Sequence, residues 1–313
     1  MSKIIGHKDV RDRLKKRSAK DSFSHANLIA GSDGIGKSLI AKYLASHILY
    51  NRDDAVSVDI VNYRTTSNSF GVDEVREIIE EVNKKPYENN RKVIILYECD
   101  KMTAQAQNAL LKTVEEPPEG VYLILLSDSL ETILDTIQSR CQIYKLTPLL
   151  QEEMEQYIEE KYKDLPLQRK QAALAYSMGI PGKIDKFIED EKLTEIRVLS
   201  ISIFEDLIKK EKDFVLKYEK LLGKFNNEKY DILDILLLYI RDILMFKELN
   251  SKDKIINLDY FERIKLIAHS MSYKRLNSML EYIKEARQSF NSNSNYSMTI
   301  SVMLMGFVEG KYK

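Results

Sequence analysis

Asn27-Leu28-Ile29-Ala30-Gly31-Ser32-Asp33-Gly34-Ile35-Gly36-Lys37-Ser38-Leu39-Ile40-Ala41 decides how the rest of the chain is read. An apolar run predicts a strand, a glycine-rich turn follows, and helical spacing begins at Lys37-Ser38. Gly31, four intervening residues, Gly36, Lys37 and Ser38 have the spacing of a phosphate-cradling loop. In such a loop, successive backbone N–H groups and a helix N-terminus present positive potential to a polyphosphate. Gly31, Gly34 and Gly36 allow close approach of the backbone, Lys37 is expected at the β- and γ-phosphates, and the Ser38 hydroxyl is expected on Mg²⁺. The strand before the loop and the helix after it are the context this mechanism requires, so ATP or ADP with Mg²⁺ is the expected cofactor.

Downstream of the loop, Leu39, Ile40, Tyr43, Leu44 and Ile48 keep helical spacing to about Leu49, and Val56–Val61 reads as a second strand. Across a linker, Arg64–Ser69, lies an amphipathic helix with Val72, Val75, Ile78, Ile79 and Val82 on one face and Glu74, Glu77, Glu80 and Glu81 on the other. Lys92–Tyr97 and Val121–Leu126 are continuous apolar runs of the kind buried on both faces of a parallel sheet, and Cys141–Leu146 is a last strand. Between them, Thr103 can cap a helix that runs to Glu116 and stops at Pro117-Pro118. Before the loop, Val10, Leu14 and Arg17 mark an amphipathic helix ending near Ser24-His25. This alternation predicts an α/β fold, a right-handed, doubly wound parallel sheet with the phosphate loop after its first strand.

At Thr147-Pro148 the pattern changes, and no buried-strand run recurs after it. Residues 148–192 predict a small helical unit broken at Gly179-Ile180-Pro181-Gly182. Residues 193–313 predict a larger all-α region with apolar stripes in 227–249, 257–271, 273–290 and 296–309, the last helix capped from the Asn291–Asn295 turn. The expected division is therefore 1–147, 148–192 and 193–313, in keeping with a length that suits two or three domains.

Charge is balanced, 48 basic against 48 acidic residues, so the whole molecule offers no electrostatic case for nucleic acid, and any DNA contact has to be local or shared with partners. Two cysteines, Cys99 and Cys141, both in apolar contexts that resemble buried strands, fit reduced cytosolic thiols. The N-terminus lacks an apolar signal region and no 18-residue apolar run occurs, which predicts a soluble cytoplasmic protein with no membrane partner.

A second constellation narrows the function. Asp100-Lys101-Met102-Thr103, Asn108-Ala109-Leu110-Leu111-Lys112-Thr113-Val114-Glu115-Glu116-Pro117-Pro118 and Ser139-Arg140-Cys141 resemble the AAA+ clamp-loader family of the bacterial replicative polymerase. Gly71–Arg76, Tyr239–Leu244 and Asn293-x-Asn295 extend the resemblance over nearly the whole chain. It implies an ATPase-like domain, a helical lid over 148–192 and a helical collar over 193–313 that joins subunits into a ring. It also implies partners: the motor and delta subunits through the collar and the Arg140 face, the sliding clamp indirectly, and primer–template DNA inside the complex. The arginine of the Ser-Arg-Cys triplet is implied to act in trans, on a γ-phosphate held by the neighbouring subunit, where such fingers contribute ~10³ to 10⁵ in rate.

The chain departs from the family's motors at its own site. On the motor alignment Tyr97 takes the place of the Mg²⁺-holding aspartate, and a phenol is a poor ligand for a hard cation. Glu98 matches the catalytic glutamate, and Asp100 lies two residues on. At the two sensor positions stand Asp128, whose carboxylate would repel phosphate, and Lys183, a point charge where motors have an arginine fork. The interval Asn51–Ser57 lacks the cysteines of the family's zinc module, so no zinc is expected. The resemblance thus implies an accessory subunit with little or no ATPase activity of its own. The alternative is an ATP-hydrolysing motor of the same family, favoured by the intact Gly31–Ser38 loop. An unrelated AAA+ regulator or branch-migration helicase fits less well, because 193–313 shows no winged-helix strands.

Overall fold

The structure is a computed structural model and describes residues 4–53, 57–65 and 69–310. Two compact units divide the chain: Met1–Glu159 with Gly179–Gly182, and Glu160–Met178 with Lys183–Lys313.

In the first unit, α1 (Lys8–Ala19) precedes β1 (Ala26–Ala30), and the phosphate loop then leads into α2 (Lys37–Tyr50). There follow β2 (Ile60–Tyr63), α3 (Val72–Val82), β3 (Lys92–Leu96), a 3-10 turn at Cys99–Lys101 and α4 (Ala104–Glu115). Next come β4 (Val121–Ser127), the short α5 (Asp135–Gln138), β5 (Gln142–Lys145) and α6 (Gln151–Lys161), whose last turn passes into the second unit. The five strands run in the order β2-β3-β4-β1-β5 with every pair parallel. The doubly wound sheet is therefore as expected.

The burial of each strand follows from its place in this order. Every residue of the interior strands β1 and β3 is buried, including the polar Asn27 and Lys92, whose side chains donate to Ser24 O and Glu81 O at 2.8 Å each. The edge strands β2 and β5 are mostly half-buried and carry the polar residues Asn62 and Gln142. On one face of the sheet Val75, Ile78, Leu110, Val114 and Ile137, from α3, α4 and α5, close over Ile94, Leu96, Leu123 and Leu125. Thr103 caps α4 as expected, its hydroxyl accepting from the Ala106 N–H at 3.2 Å.

Three local expectations shift. The second strand lies later than 56–61: residues 58–59 form a turn, pairing with β3 begins at Ile60, and Val56 falls outside the described residues, as do Thr66–Asn68 of the linker. Helix α1 stops at Ala19 rather than near Ser24-His25, because Lys20 and Asp21 turn the chain, Asp21 with φ +48°. Neither cysteine sits inside a strand: Cys99 is in the 3-10 turn, fully buried, and Cys141 is half-buried just before β5.

The second unit is all-α. Beyond the end of α6 it holds α7 (Leu167–Ser177), most of α8 (Pro181–Glu189), α9 (Glu191–Lys209) and α10 (Phe214–Leu222). Helices α11 (Lys229–Leu249), α12 (Phe261–Ser270), α13 (Tyr273–Asn291) and α14 (Tyr296–Glu309) complete it. The apolar stripes of 191–309 converge on one core containing Phe204, Tyr218, Tyr239, Ile283 and Phe307. Asn295 caps α14, its side chain accepting from the Met298 N–H at 3.0 Å. Asp242 ties the loop before α12 to α11 by accepting from the Ile256 and Asn257 N–H groups at 3.0 and 2.8 Å. No helix among the described residues is long and apolar enough to cross a membrane.

Candidate functional site

Because β1 lies between β4 and β5, and β4 next to β3, the C-terminal ends of β1, β3 and β4 meet at one edge of the sheet. That edge is where open α/β sheets hold their ligands. The Gly31 N–H donates to Ser127 O at 3.1 Å, which ties the start of the loop to the end of β4. Gly34 and Gly36 have φ of +77° and +107°, so an L side chain would be strained at either position. A Cβ at Gly34 would lie 3.0 Å from Gly182 Cα, whereas one at Gly36 would meet only His7 Nε2 at 3.8 Å. The cradle is thus closed at Gly34 and open at Gly36, directly before the N-terminus of α2 at Lys37 and Ser38. His7 Nε2 donates to Ile35 O at 2.9 Å and braces the loop.

Lys37 does not point at an open phosphate position. Its ammonium donates to Gly31 O at 2.8 Å, Ser32 O at 3.1 Å and Asp128 Oδ1 at 2.6 Å. An ammonium has three N–H groups, and these acceptors match them one for one. The Lys37 side chain is only 10% exposed, the Asp128 side chain 50%. Asp128 is held in turn by its backbone N–H, which donates to Asp100 Oδ1 at 3.1 Å. The structure therefore brings Gly31, Lys37, Asp100 and Asp128 into one network. The backbone of the loop is open at Gly36 before the α2 N-terminus, and its lysine is already engaged by a carboxylate.

The strand-end positions are also committed elsewhere. The Tyr97 hydroxyl donates to Asn62 Oδ1 at 3.1 Å, toward β2, and the Arg64 guanidinium lies 4.8 Å from the centre of its ring. Burial pushes the phenol above its ordinary value against the opposing charge of Arg64, so it stays protonated. Glu98 takes a left-handed backbone, φ +56°, and its carboxylate accepts from Lys101 Nζ at 2.9 Å. Lys183 is half-buried in the first turn of α8, within the second unit.

Arg140 stands apart from the loop, after α5. Its side chain is 37% exposed, with Nη1 donating to Thr136 O at 3.0 Å and Nη2 to Glu115 Oε1 at 3.2 Å. The segment that carries it is anchored by two glutamines. Gln107 donates to Thr132 O at 2.9 Å and accepts from the Leu134 N–H at 2.8 Å, and Gln138 donates to Leu130 O and Ile133 O at 2.9 and 2.7 Å. Sequence reasoning missed Glu115, Gln107, Gln138 and His7 as parts of the site. Only the presence of the first two within or beside the 108–118 motif could have drawn attention to them.

A family model described as "DNA polymerase III, delta subunit" matches residues 6–150, and a second, "DNA polymerase III, delta subunit, C terminal", matches residues 204–308. DNA polymerase III subunit delta' of Bacillus subtilis is 26% identical over 309 residues, covering 93% of this chain and 93% of that protein. The delta' subunit of Haemophilus influenzae is 30% identical over 200 residues, 60% of this chain and 56% of that protein. Among solved structures, a DNA polymerase III gamma subunit-related protein from Thermotoga maritima shares the fold with a TM-score of 0.50 at 20% identity, over 97% of this chain and 100% of that one. With both family models matched in chain order and a delta' relative aligned almost end to end, the chain belongs to the DNA polymerase III delta-subunit family of AAA+ proteins.

Proposed function

We propose that this chain is a delta-prime-type subunit of the bacterial replicative clamp loader. In this role it supports ATP-dependent loading of the sliding clamp onto primer–template DNA and supplies Arg140 to the ATP site of a neighbouring motor subunit. The observation that carries the reading is the end-to-end relationship to delta' of Bacillus subtilis, which includes both the ATPase-like and the helical C-terminal regions. Arg140, exposed at the surface of the first unit with a guanidinium not fully used among the described residues, supports the role in trans. The lid at 148–192 and the collar at 193–313, through which the chain would join motor and delta subunits, belong to the same reading.

The chain's own nucleotide site is proposed as a retained cradle. The backbone of Gly31–Ser38 would hold the phosphates of ATP or ADP, Lys37 would pair with them once released from Asp128, and the Ser38 hydroxyl would meet Mg²⁺. Magnesium would supply charge neutralisation at the phosphates. Hydrolysis is disfavoured, because Tyr97 is a protonated phenol bonded to Asn62 and Glu98 is paired with Lys101. A second reading, as a motor of the same family, draws on the loop geometry at Gly36 and Lys37.

The two readings separate in one experiment. Purified chain is assayed for ATP turnover alone and with motor subunits, delta, clamp and primed DNA, as wild type, Arg140→Ala and Lys37→Ala. The accessory role predicts co-purification with the loader, negligible turnover by the chain alone, and a severe loss in the complex for Arg140→Ala only. Brisk turnover by the isolated chain, or loss in the complex with Lys37→Ala but not Arg140→Ala, establishes the motor role instead.

A further inference from the structure

Glu115 is the last residue of α4, followed directly by Glu116 and Pro117. A helix C-terminus carries the negative end of the backbone dipole, so an acidic residue there is unfavourable by itself. What offsets it in this fold is Arg140, 25 residues away in sequence, whose Nη2 lies 3.2 Å from Glu115 Oε1. Thr136 O, in the four-residue α5, accepts from Nη1 of the same guanidinium at 3.0 Å. These contacts use two of the five guanidinium N–H groups, and no other contact is made by them among the described residues. The remaining donors form part of a planar fork suited to phosphate oxygens.

The elements on either side are fixed with respect to one another. Gln107, on the same helix as Glu115, is hydrogen-bonded to Thr132 and Leu134, and Gln138 closes the loop over residues 130–133. Leu110, Val114 and Ile137 are buried in one core. A long, flexible side chain is thereby mounted on a rigid base and steered from one side by a carboxylate.

We propose that Glu115 is a positioning residue for Arg140: it orients the guanidinium, leaving its other donors directed at a phosphate of the adjacent subunit. The proposal rests on the reading of Arg140 as a residue acting in trans. Glu115 touches no substrate itself. A half-exposed ion pair of this kind is a modest interaction, so removing it should lower the rate about fivefold rather than abolish it.

The test uses the assembled loader with clamp and primed DNA, in which steady-state ATP hydrolysis is measured for Glu115→Ala, Glu115→Gln, Arg140→Ala and the double variant. Glu115→Ala is expected to lower kcat about fivefold with KM for ATP unchanged, and Glu115→Gln, which can still accept a hydrogen bond, to recover part of the loss. The double variant should be no worse than Arg140→Ala alone, because Glu115 acts only through that arginine. Thermal melting and co-purification of the single variants should match wild type, since the Glu115 side chain is 53% exposed. If Arg140→Ala is harmful and Glu115→Ala matches wild type, or if the two losses multiply, the positioning role is overturned. If Arg140→Ala itself leaves hydrolysis unchanged, the in-trans reading fails and the proposal falls with it.

Discussion

Replacing Asp128 should open the phosphate loop. In the structure its carboxylate lies 2.6 Å from Lys37 Nζ, and Gly31 O and Ser32 O take the other two ammonium hydrogens. At 2.6 Å the raw attraction is about 2 kcal/mol in bulk water and about 6 kcal/mol at the dielectric of a protein surface. Asp128 is half exposed, so most of that is returned as desolvation and side-chain ordering, leaving about 1–2 kcal/mol for a charged hydrogen bond of this type. A nucleotide that recruits Lys37 has to break this pair and then sit beside a carboxylate. Asp128→Ala removes both penalties and should tighten ATP and ADP binding by about five- to thirtyfold, at roughly 1.4 kcal/mol per factor of ten. Asp128→Asn, which keeps the shape and loses the charge, should gain nearly as much. The assay is titration with a fluorescent ATP analogue, with and without Mg²⁺, and with Lys37→Ala as the variant that should lose binding. Unchanged or weaker binding by Asp128→Ala, with the protein still folded, would show that the Lys37–Asp128 pair does not limit the site.

Four further outcomes follow from local hydrogen bonding and packing. The Asp59 carboxylate accepts from the N–H groups of Tyr87, Glu88 and Asn89 at 2.6, 3.0 and 2.9 Å; burial pushes its pKa up, but these bonds outweigh it and hold it below the ordinary value. A lowered folded pKa means stability that is fully present above about pH 5 and lost as pH falls through the carboxylate range. Asp59→Asn should therefore cost about 1–3 kcal/mol at neutral pH in urea melts, with the gap to wild type closing toward pH 3. In the second unit, the buried Arg197 donates to Asn257 Oδ1 at 3.1 Å and Asp259 Oδ1 at 2.9 Å, with the Phe187 ring 4.1 Å from its guanidinium carbon. Arg197→Ala should destabilise by about 3 kcal/mol, read from the denaturant midpoint, since it strips a buried charge site of its partner. Gly182→Ala would place a Cβ 2.6 Å from Gly34 Cα and strain the 2.9 Å bond from the Gly182 N–H to Gly34 O, lowering stability by about 1–3 kcal/mol. Gly223→Ala, whose Cβ would meet nothing within 4 Å, should stay within about 0.5 kcal/mol of wild type in the same melts.

The sequence by itself determined the local features of this protein. The apolar runs within 92–97 and 121–126 read as strands buried on both faces, and the loop from Gly31 to Ser38 declares itself through spacing along a single stretch. Caps at Thr103 and Asn295 were legible for the same reason, since a cap and its helix are neighbours in the chain. The strand at 60–63 was less so, because an edge strand is half-buried and carries a weaker apolar signal. Tertiary structure decided what the side chains at the site do. Lys37 and Asp128 are 91 residues apart and meet only because β1 and β4 are neighbours in the sheet. Arg140 finds Glu115 only because α4 and α5 cover the same face. Spacing could place a lysine in a phosphate loop and a carboxylate at a sensor position. Only the packing of the sheet could pair them, because charge interactions act through space over a few ångströms and take no account of distance along the chain.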